Sequence, residues 1–437
     1  MEKEKRKQQP VFYNTMTKRM EVFVPRQPGV VKLFTCGPSV YQQQHLGNYR
    51  TYLFEDVLHR YLEYIGYRVE RAINFTDIED KAIKRLKKEG ITLEETTGPN
   101  KKEFVKTSKE LGIFLPQEIP QATGSVEEAV QIIAELLEKG IAYRHGGNIY
   151  FDPLKYPRFG EVFGLDMSQW PEKRVRFSKD TYNGKRWNLG DFILWHGTTP
   201  DDPVSWDTRI GKGRPAWNVQ DPAMILKTFG PEIDIHTGGI DNVYRHHDYN
   251  RAILESYSGQ ELAHYWLHGE HLIVEGEKMS KSKGNTMYPK DAYAHGCSAQ
   301  QVRFMLMCTY YRHQLNVSEE RIDECCRHFN TIRKTVEAIQ TASQREHNPA
   351  TPAREHKTYR PGSEHSVEKL IDEVPILFTT KMNDDLDTPG AIESLEYLAD
   401  EFYTAQQKGL VHNSQRERFI DELRSVDQVL GILFPRN

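Results

Sequence analysis

Residues 30–80 contain the pattern that decides the fold, and they read VVKLFTCGPSVYQQQHLGNYRTYLFEDVLHRYLEYIGYRVERAINFTDIED. A short β-prone run opens this stretch and closes at Gly37 and Pro38, and a second apolar run, RVERAINF, follows at residues 68–75. Between the two runs, apolar side chains recur at helical spacing, at Leu53, Val57, Leu58, Tyr61, Leu62 and Ile65. A strand, a helix-length connection and a second strand form a βαβ unit, so the sequence predicts parallel strands and an α/β fold.

The pattern changes after this unit. Residues 83–139 are charged and helical in spacing, and residues 147–210 carry short β-prone runs between clusters of Pro, Gly and Asp. Helix and strand patterns that can complete the sheet return at Pro215, and the sequence beyond Met287 is nearly all helical in pattern. Within this last part, residues 342–366 are rich in His, Pro, Arg and Glu, and we expect them to form a disordered linker.

The composition narrows the class of protein. The chain has 437 residues, with 58 Lys and Arg against 62 Asp and Glu, so its formal charge of -4 argues against a simple polyanion binder. Its mean hydropathy is -0.68, and no run approaches the ~20 apolar residues of a membrane-spanning helix. The N-terminal residues MEKEKRKQQP lack the apolar stretch of a signal peptide, and five irregularly spaced cysteines are typical of reduced thiols. We therefore expect a cytoplasmic protein.

Two short motifs point to phosphate chemistry. HLGN, at residues 45–48, lies where the first strand gives way to a helix, and the free N–H groups of a helix N-terminus favour phosphate there. Gly47 would let a nucleotide approach the backbone. The four residues alone are also compatible with a histidine that serves only packing.

The second motif is KMSKS at residues 278–282, followed by KGN. Its lysines, on a mobile segment, suit a pyrophosphate leaving group, because they can meet the negative charge that develops there. The alternative is a solvated basic loop without a ligand.

With these motifs in place, the sequence resembles the class I aminoacyl-tRNA synthetases and, within them, the cysteinyl-tRNA synthetase family. The resemblance is carried by TCGPSVY at 35–41, HLGN at 45–48, NFTDIEDKAI at 74–83, DFILWH at 191–196, GRPAWNVQDPAM at 213–224, DIHTGGIDNVYRHH at 234–247, EKMSKSKGN at 277–285 and MNDDLDTPGAI at 382–392. It implies a Rossmann-like parallel sheet with an inserted β-rich module and a C-terminal α-helical domain. The implied bounds are 1–125 and 211–290 for a split catalytic domain, 126–210 for the insertion and 291–437 for the helical domain.

The resemblance also implies ATP and Mg²⁺ as cofactors, and it assigns residues to the nucleotide. His45 and Asn48 match the first and last positions of the HIGH motif, with Asn in place of the final His, and Lys278 and Lys281 match the KMSKS lysines; these four are the expected catalytic residues. The remaining residues expected beside the nucleotide are Gly37, Tyr41, Gly47, His236, Gly238, Gly239 and Asp241, the last of them on the ribose hydroxyls.

The amino-acid pocket departs from the family pattern. Thr76 and Trp217 match residues that line the amino-acid pocket. Tyr41, like Trp217, is a candidate for the wall of this pocket. The family holds zinc with two cysteines, a histidine and a glutamate, and this chain has Cys36, Asp221, His246 and Asn250 at those positions. Asn is a poor zinc ligand, and one of the two thiolates has been lost. We therefore expect this site to lack zinc rather than to hold it.

This departure leads to a hypothesis about the substrate. The pocket is rebuilt for an amino acid other than cysteine, or for a cysteine-like acid bound without metal. Asp221 could pair with a basic or hydroxyl group of the substrate, or it could only anchor His246.

The acceptor of the activated acid has two alternatives. One is the terminal ribose of a tRNA; the other is a small-molecule amine, as in the mycothiol-pathway ligase, a C-terminally short relative. The chain ends at VLGILFPRN, about where the helical domain of the family finishes, so we expect it to lack the part that reads an anticodon. A noncatalytic relative that binds tRNA or acts as a regulator is a third possibility, from another class. The sequence favours an ATP-dependent adenylate-forming ligase.

Overall fold

The computed structural model describes residues 9–117, 119–165, 191–199, 202–280, 283–341 and 366–435. The strands are β1 Val11–Asn14, β2 Arg19–Val22, β3 Val30–Thr35, β4 Arg68–Ile73, β5 Ala142–His145, β6 Asn148–Phe151, β7 Phe192–Gly197, β8 Gly213–Pro215, β9 Ile233–Gly239, β10 Ala263–Gly269, β11 Leu272–Val274, β12 Glu277–Lys278 and β13 Leu315–Val317. The α-helices are α1 Leu46–Tyr64, α2 Asp80–Glu89, α3 Leu93–Glu110, α4 Val126–Glu138, α5 Trp217–Phe229, α6 Asp248–Ser258, α7 Pro289–Ala294, α8 Ala299–Met307, α9 Glu319–Thr341, α10 Val367–Asn383, α11 Thr388–Gln407 and α12 Asn413–Leu430.

The central sheet is parallel and has the strand order β10-β9-β3-β4. Its middle strand, β3, is buried on both faces except at Lys32, as expected of a strand that helices cover on both sides. Leu33 lies opposite Ile235 of β9 and opposite Arg71 of β4, which brings the carboxyl ends of three strands to one edge. The predicted α/β fold with a parallel sheet is confirmed.

Helix α1 connects β3 to β4 and also joins the sheet to the C-terminal helices. It begins at Leu46, within the HLGN motif, and packs against α8 and α12 as well as against β9. A fully buried ion pair joins Asp56 of α1 to Arg303 of α8, with 3.0 Å between Oδ2 and Nη2. The hydroxyl of Tyr61 donates to Asn383 Oδ1 at 2.6 Å. Helix α1 therefore packs against both the parallel sheet and the C-terminal helices.

The predicted β-rich stretch contains an antiparallel sheet with the order β5-β6-β7-β8. Its strand β8 lies at residues 213–215, just beyond the expected boundary, and the helix that precedes it, α4, packs against α5 and α6. The three domain bounds stay a prediction. Residues 166–190 of this stretch lie outside the described residues.

Four long helices, α9 to α12, dominate the end of the described chain, as the helical pattern predicts. A small sheet with the order β12-β11-β13 precedes them, and its strand β13 was not expected, because three residues carry too short a pattern to be read. All but the last residue of the predicted linker at 342–366 lies outside the described residues. The expectation about anticodon reading also stays a prediction. Among the helices described, we find none with the length and apolarity required to span a membrane.

Candidate active site

A cavity of about 950 Å³ lies at the carboxyl ends of β3, β4 and β9, where ligands of open α/β sheets bind. Eleven of the residues expected at the site line it: Cys36, Gly37, Tyr41, His45, Asn48, Thr76, Trp217, Asp221, Gly239, Asp241 and His246. The other expected residues that the structure describes, Gly47, His236, Gly238, Asn250 and Lys278, do not line it.

The HLGN segment forms the start of α1. The backbone N–H of His45 donates to Asn48 Oδ1 at 3.1 Å, so the amide at the end of the motif holds the first turn. The N–H of Leu46 donates to the carbonyl of Met287 at 2.8 Å, which ties this turn to the segment after the KMSKS motif. His45 and Asn48 therefore face the cavity from a fixed turn.

Gly47 lies against the KMSKS segment. A Cβ atom at this position would come within 2.8 Å of Met279 Cε and 3.1 Å of the His45 ring. The two motifs, more than two hundred residues apart in sequence, are thus in direct contact. Gly47 acts through this close approach rather than by lining the cavity.

The described part of the KMSKS segment turns around Asn285. Asn285 Oδ1 accepts from the N–H of Ser280 at 2.8 Å, and its Nδ2 donates to the carbonyl of Lys278 at 3.3 Å. The Lys278 side chain is exposed, and its Nζ lies 3.4 Å from His271 Nε2. Lys281 lies outside the described residues.

The end of β9 supplies the opposite side of the cavity. Gly239 ends the strand, and Asp241 follows in a short 3₁₀ turn. Gly238 supports this turn from behind, because a Cβ there would come within 2.9 Å of His247 Cε1. Asp241 is exposed and lines the cavity.

His236 lies beneath the cavity in a stack of rings. Its ring centroid is 4.1 Å from that of His247, and His247 in turn contacts His268, with 2.6 Å between Nδ1 and Nε2. Burial lowers the pKa of His236 and of His268 to about 3. These rings are therefore neutral at physiological pH and position their neighbours rather than carry charge.

A strained turn brings His246 to the cavity. Arg245 has φ 73° and ψ -50°, a left-handed conformation that side-chain-bearing residues rarely adopt. The His246 ring then packs on Trp217, with 4.4 Å between centroids. Burial lowers the pKa of His246, although Asp221 opposes the shift.

The floor of the cavity is the carboxylate of Asp221, whose side chain projects from the first turns of α5 and which is 4% exposed. Asn74 Nδ2 donates to its Oδ1 at 3.0 Å, and Cys36 Sγ lies 3.7 Å from its Oδ2. Burial raises the pKa of Asp221, and the neighbouring His246 and Asn250 oppose the shift. The Asp221 carboxylate thus accepts hydrogen bonds from Asn74 and Cys36.

Gly37 holds Asn74 in place. Its N–H donates to Asn74 Oδ1 at 2.8 Å, so the amide nitrogen is left to face Asp221. A Cβ at position 37 would lie 1.9 Å from the carbonyl oxygen of Asn74, and only glycine allows this approach.

The donor set at these positions does not suit zinc. Asp221 stands in place of one thiolate, and the amide of Asn250 is a weak zinc ligand. The amide nitrogen of Asn250 lies 3.3 Å from His236 Nε2, and the Cys36 thiol is directed to Asp221 Oδ2 at 3.7 Å. Of the four positions, Cys36 and His246 keep the expected zinc ligands.

Several cavity residues were missed from the sequence. Asn74 lies within the quoted NFTDIEDKAI stretch, but the motif gives it no role.

Asn148, Tyr150 and His196 reach the cavity from the antiparallel sheet. That sheet is tied to α2 through Asp80, because Arg214 Nη2 lies 2.7 Å and His196 Nε2 lies 3.8 Å from its Oδ1. The DFILWH stretch was the signal for His196. The α2 residues Lys81 and Lys84 also line the cavity.

Comparison with known proteins finds relatives that match most of the chain. The family profile described as "tRNA synthetases class I (C) catalytic domain" matches residues 22–327. The chain is 35% identical over 425 residues to the cysteine–tRNA ligase of Chlamydia pneumoniae, covering 97% of this chain and 86% of that protein. It is 41% identical over 316 residues to the cysteine–tRNA ligase of Brachyspira hyodysenteriae, covering 72% of this chain and 66% of that protein.

Solved structures agree in fold. The methionyl-tRNA synthetase of Mycobacterium tuberculosis in complex with methionyl-adenylate has a TM-score of 0.61 at 16% identity, covering 92% of this chain and 90% of that one. The LeuRS of Agrobacterium radiobacter K84, in a ternary complex with tRNA and LeuAMS, has a TM-score of 0.65 at 12% identity, covering 93% and 85%. At this level of identity, the similarity concerns the fold alone.

Proposed function

Because this chain belongs to the cysteinyl-tRNA synthetase family, we propose that it is an ATP-dependent ligase that activates an amino acid as its adenylate and transfers the aminoacyl group to tRNA. In the first step, a carboxylate oxygen of the amino acid attacks the α-phosphorus of ATP and pyrophosphate leaves. In the second, a ribose hydroxyl of the tRNA attacks the carbonyl carbon and AMP leaves.

The observation that carries this proposal is the meeting of three distant segments at one cavity. HLGN starts α1, Met279 of the KMSKS motif packs on Gly47, and the turn of Gly239 and Asp241 lies across the cavity. ATP needs donors for its phosphates and an acceptor for its ribose, and these segments supply both.

We assign the phosphates to the start of α1. His45 and Asn48 line the cavity beside the N-terminal turn, where the positive end of the helix dipole favours an anion. Lys278 and Lys281 would stabilise the charge on the leaving pyrophosphate once their segment moves inward, since Lys278 is exposed and does not line the cavity. Tyr41 is a wall of this part of the cavity.

We assign the adenosine to β9. Asp241 is placed to accept from the ribose hydroxyls, and Gly239 leaves room for the ligand beside the strand end. Gly238 and His236 support this arrangement from below, because a Cβ on Gly238 would meet His247, whose ring lies 4.1 Å from that of His236. Gly37 lines the same cavity just after β3.

Mg²⁺ would enter the cavity on ATP, held mainly by the phosphates. Glu79, Asp80 and Asp241 line the cavity, and one such carboxylate beside the phosphates is a usual Mg²⁺ ligand. Bound with the nucleotide, Mg²⁺ would neutralise phosphate charge.

The earlier alternatives are not favoured. The two relatives described above both bear the name cysteine–tRNA ligase, and one of them matches 97% of the chain. This supports a tRNA over a small-molecule amine as the acceptor. A noncatalytic relative would have no physical need for the three segments to meet.

ATP–pyrophosphate exchange with each proteinogenic amino acid tests the first step. We expect exchange that depends on one amino acid, and a loss of about 100-fold or more for His45→Ala, the usual effect of removing one transition-state donor. His264→Ala is the control, because the His264 side chain is 40% exposed and contacts Glu261 at the surface of β10, away from the cavity residues. Wild-type protein without exchange for any amino acid would contradict the proposal.

A further inference from the structure

The floor of the cavity presents a carboxylate where the family places a metal ion. We infer that the enzyme holds the side chain of its amino acid through a hydrogen bond donated to Asp221, with no metal ion between them. The substrate class is then a short amino acid whose side chain ends in an O–H, N–H or S–H donor. This inference rests on the proposed function and concerns the same site.

Asp221 is fixed as an acceptor by its neighbours. The N–H of Gly37 donates to the amide oxygen of Asn74, so the Asn74 nitrogen must point at Asp221 Oδ1. Cys36 directs its thiol to Oδ2. A carboxylate in these surroundings cannot turn away without breaking contacts at both oxygens.

The carboxylate has capacity left for a ligand. Its two oxygens offer about four acceptor positions, and Asn74 and Cys36 use one on each oxygen. The Asp221 side chain lines the cavity together with Thr76, Trp217 and His246. The carboxylate can therefore accept from a donor that enters from the cavity.

The charge balance also favours a donor. The groups that act most strongly on Asp221 are His246, Asn250, Cys36 and Asn74, and none is a lysine or arginine. A buried carboxylate without a cationic partner gains from a hydrogen-bond donor and most from a cation. A thiolate would be repelled, so a cysteine side chain can bind here only as the neutral thiol.

The walls restrict the size of the side chain. Trp217 and His246 pack ring against ring with 4.4 Å between centroids, and only 4% of Asp221 is exposed. A slender terminal group can reach it, whereas a bulky side chain cannot.

Substrate ranking on the wild-type enzyme tests the inference without any mutation. Pyrophosphate exchange is measured with serine, 2,3-diaminopropionate and cysteine, and with 2-aminobutyrate, which has the size of cysteine but no donor. We expect the best donor substrate to exceed 2-aminobutyrate by about 100-fold or more, as for sites built to bind a polar substrate group. The chelator 1,10-phenanthroline, which binds zinc and other transition metals but spares Mg²⁺, should leave this activity unchanged, and metal analysis should find much less than one zinc per chain.

Variants of Asp221 provide a second test of the inference. Asp221→Asn keeps the size but turns one acceptor into a donor, and it should raise KM for the donor substrate about 10-fold or more, the size of effect that follows when a buried polar group loses its pairing. The double variant Asp221→Cys with Asn250→Glu should bind one zinc and activate cysteine in a phenanthroline-sensitive way. Asp372→Asn on α10, 58% exposed, is the control and should match wild type.

Binding of aminoacyl-sulfamoyl adenosines separates the inference from the proposed function, since it requires no turnover. The seryl and 2,3-diaminopropionyl analogues should raise Tm more than the 2-aminobutyryl analogue, even if exchange fails and the proposed function falls. Equal shifts, equal exchange with 2-aminobutyrate, an unchanged Asp221→Asn enzyme, or stoichiometric zinc with phenanthroline-sensitive activity would each overturn the inference.

Discussion

Asn74 donates its side-chain N–H to Asp221 across 3.0 Å, and this bond joins the loop after β4 to the first turns of α5, 147 positions along the chain. In the proposed function, this bond fixes the floor of the amino-acid pocket to the parallel sheet that carries the nucleotide motifs. Selection of the side chain and positioning of the carboxylate for attack would then depend on the same contact.

Gly37→Ala should disrupt this floor. The added Cβ would lie 1.9 Å from the Asn74 carbonyl oxygen, a backbone atom that cannot yield without moving the loop. We expect a loss of about 1–3 kcal/mol in the free energy of unfolding, as for other overpacked positions, together with loss of exchange activity. Urea denaturation and pyrophosphate exchange measure the two effects. Gly124→Ala is the matched control, because a Cβ there meets nothing within 4 Å; equal behaviour of the two variants would refute the crowding argument.

Gly47→Ala should instead impair catalysis while leaving the fold intact. Its Cβ would meet Met279 Cε, the end of a flexible side chain, at 2.8 Å. The KMSKS segment must then shift, and we expect kcat of exchange to fall about 10-fold or more, since small misplacements of catalytic groups are costly, with Tm within about 2 °C of wild type.

The double variant Gly47→Ala with Met279→Ala removes the atom that clashes. Activity should recover in part relative to Gly47→Ala alone. If it does not, the contact between the two motifs does not transmit the effect.

The buried ion pair between Asp56 and Arg303 should matter for stability. Asp56→Asn leaves the Arg303 guanidinium buried without its carboxylate, 3.0 Å away in the wild type. Breaking one side of such a pair costs about 3–5 kcal/mol, measured as the free energy of unfolding in urea. Asp372→Asn, at the surface of α10, should cost less than about 1 kcal/mol, and equal costs would argue against the buried pair.

Acidification should destabilise the protein through its buried histidines. Burial lowers the pKa of His59 to about 4 and that of His268 to about 3, below the usual 6.5. The unfolded chain therefore binds protons first, so the free energy of unfolding falls as pH drops below 6.5, by up to about 1.4 kcal/mol per pH unit for each group. His59→Phe should flatten this dependence, because the ring stacks on Phe114 with 4.9 Å between centroids and a phenyl ring can take its place. An unchanged pH profile would contradict this assignment.

Much of the fold could be predicted because its signals are local. The period changes within residues 30–80 indicate strand, helix and strand, and β3 and β4 are indeed parallel neighbours. The start of α1 at Leu46 follows from HLGN itself, where the Asn48 side chain holds the turn. The short strand β13 was missed because it exists through pairing with β11, a tertiary contact without a local pattern.

The site was less predictable, since its residues meet through tertiary structure. Asn74 is one polar residue after a strand, and nothing near it in sequence indicates its bond to Asp221. His196 and Asn148 line the cavity only because the antiparallel sheet lies over the edge of the parallel one. The departure from the family's zinc ligands at Asp221 and Asn250 could be read from the sequence, but the hydrogen bonds that hold Asp221 required the structure.

Transfer of the activated amino acid to tRNA can be measured directly. The enzyme, ATP and the radiolabelled amino acid identified by exchange are incubated with total tRNA, and in parallel with periodate-oxidised tRNA, which lacks the terminal ribose diol. We expect an alkali-labile label on intact tRNA and none on the oxidised sample. If the amino acid forms the adenylate but never reaches tRNA, while an added amine takes it up as an amide, the acceptor is not tRNA and the proposed function is wrong.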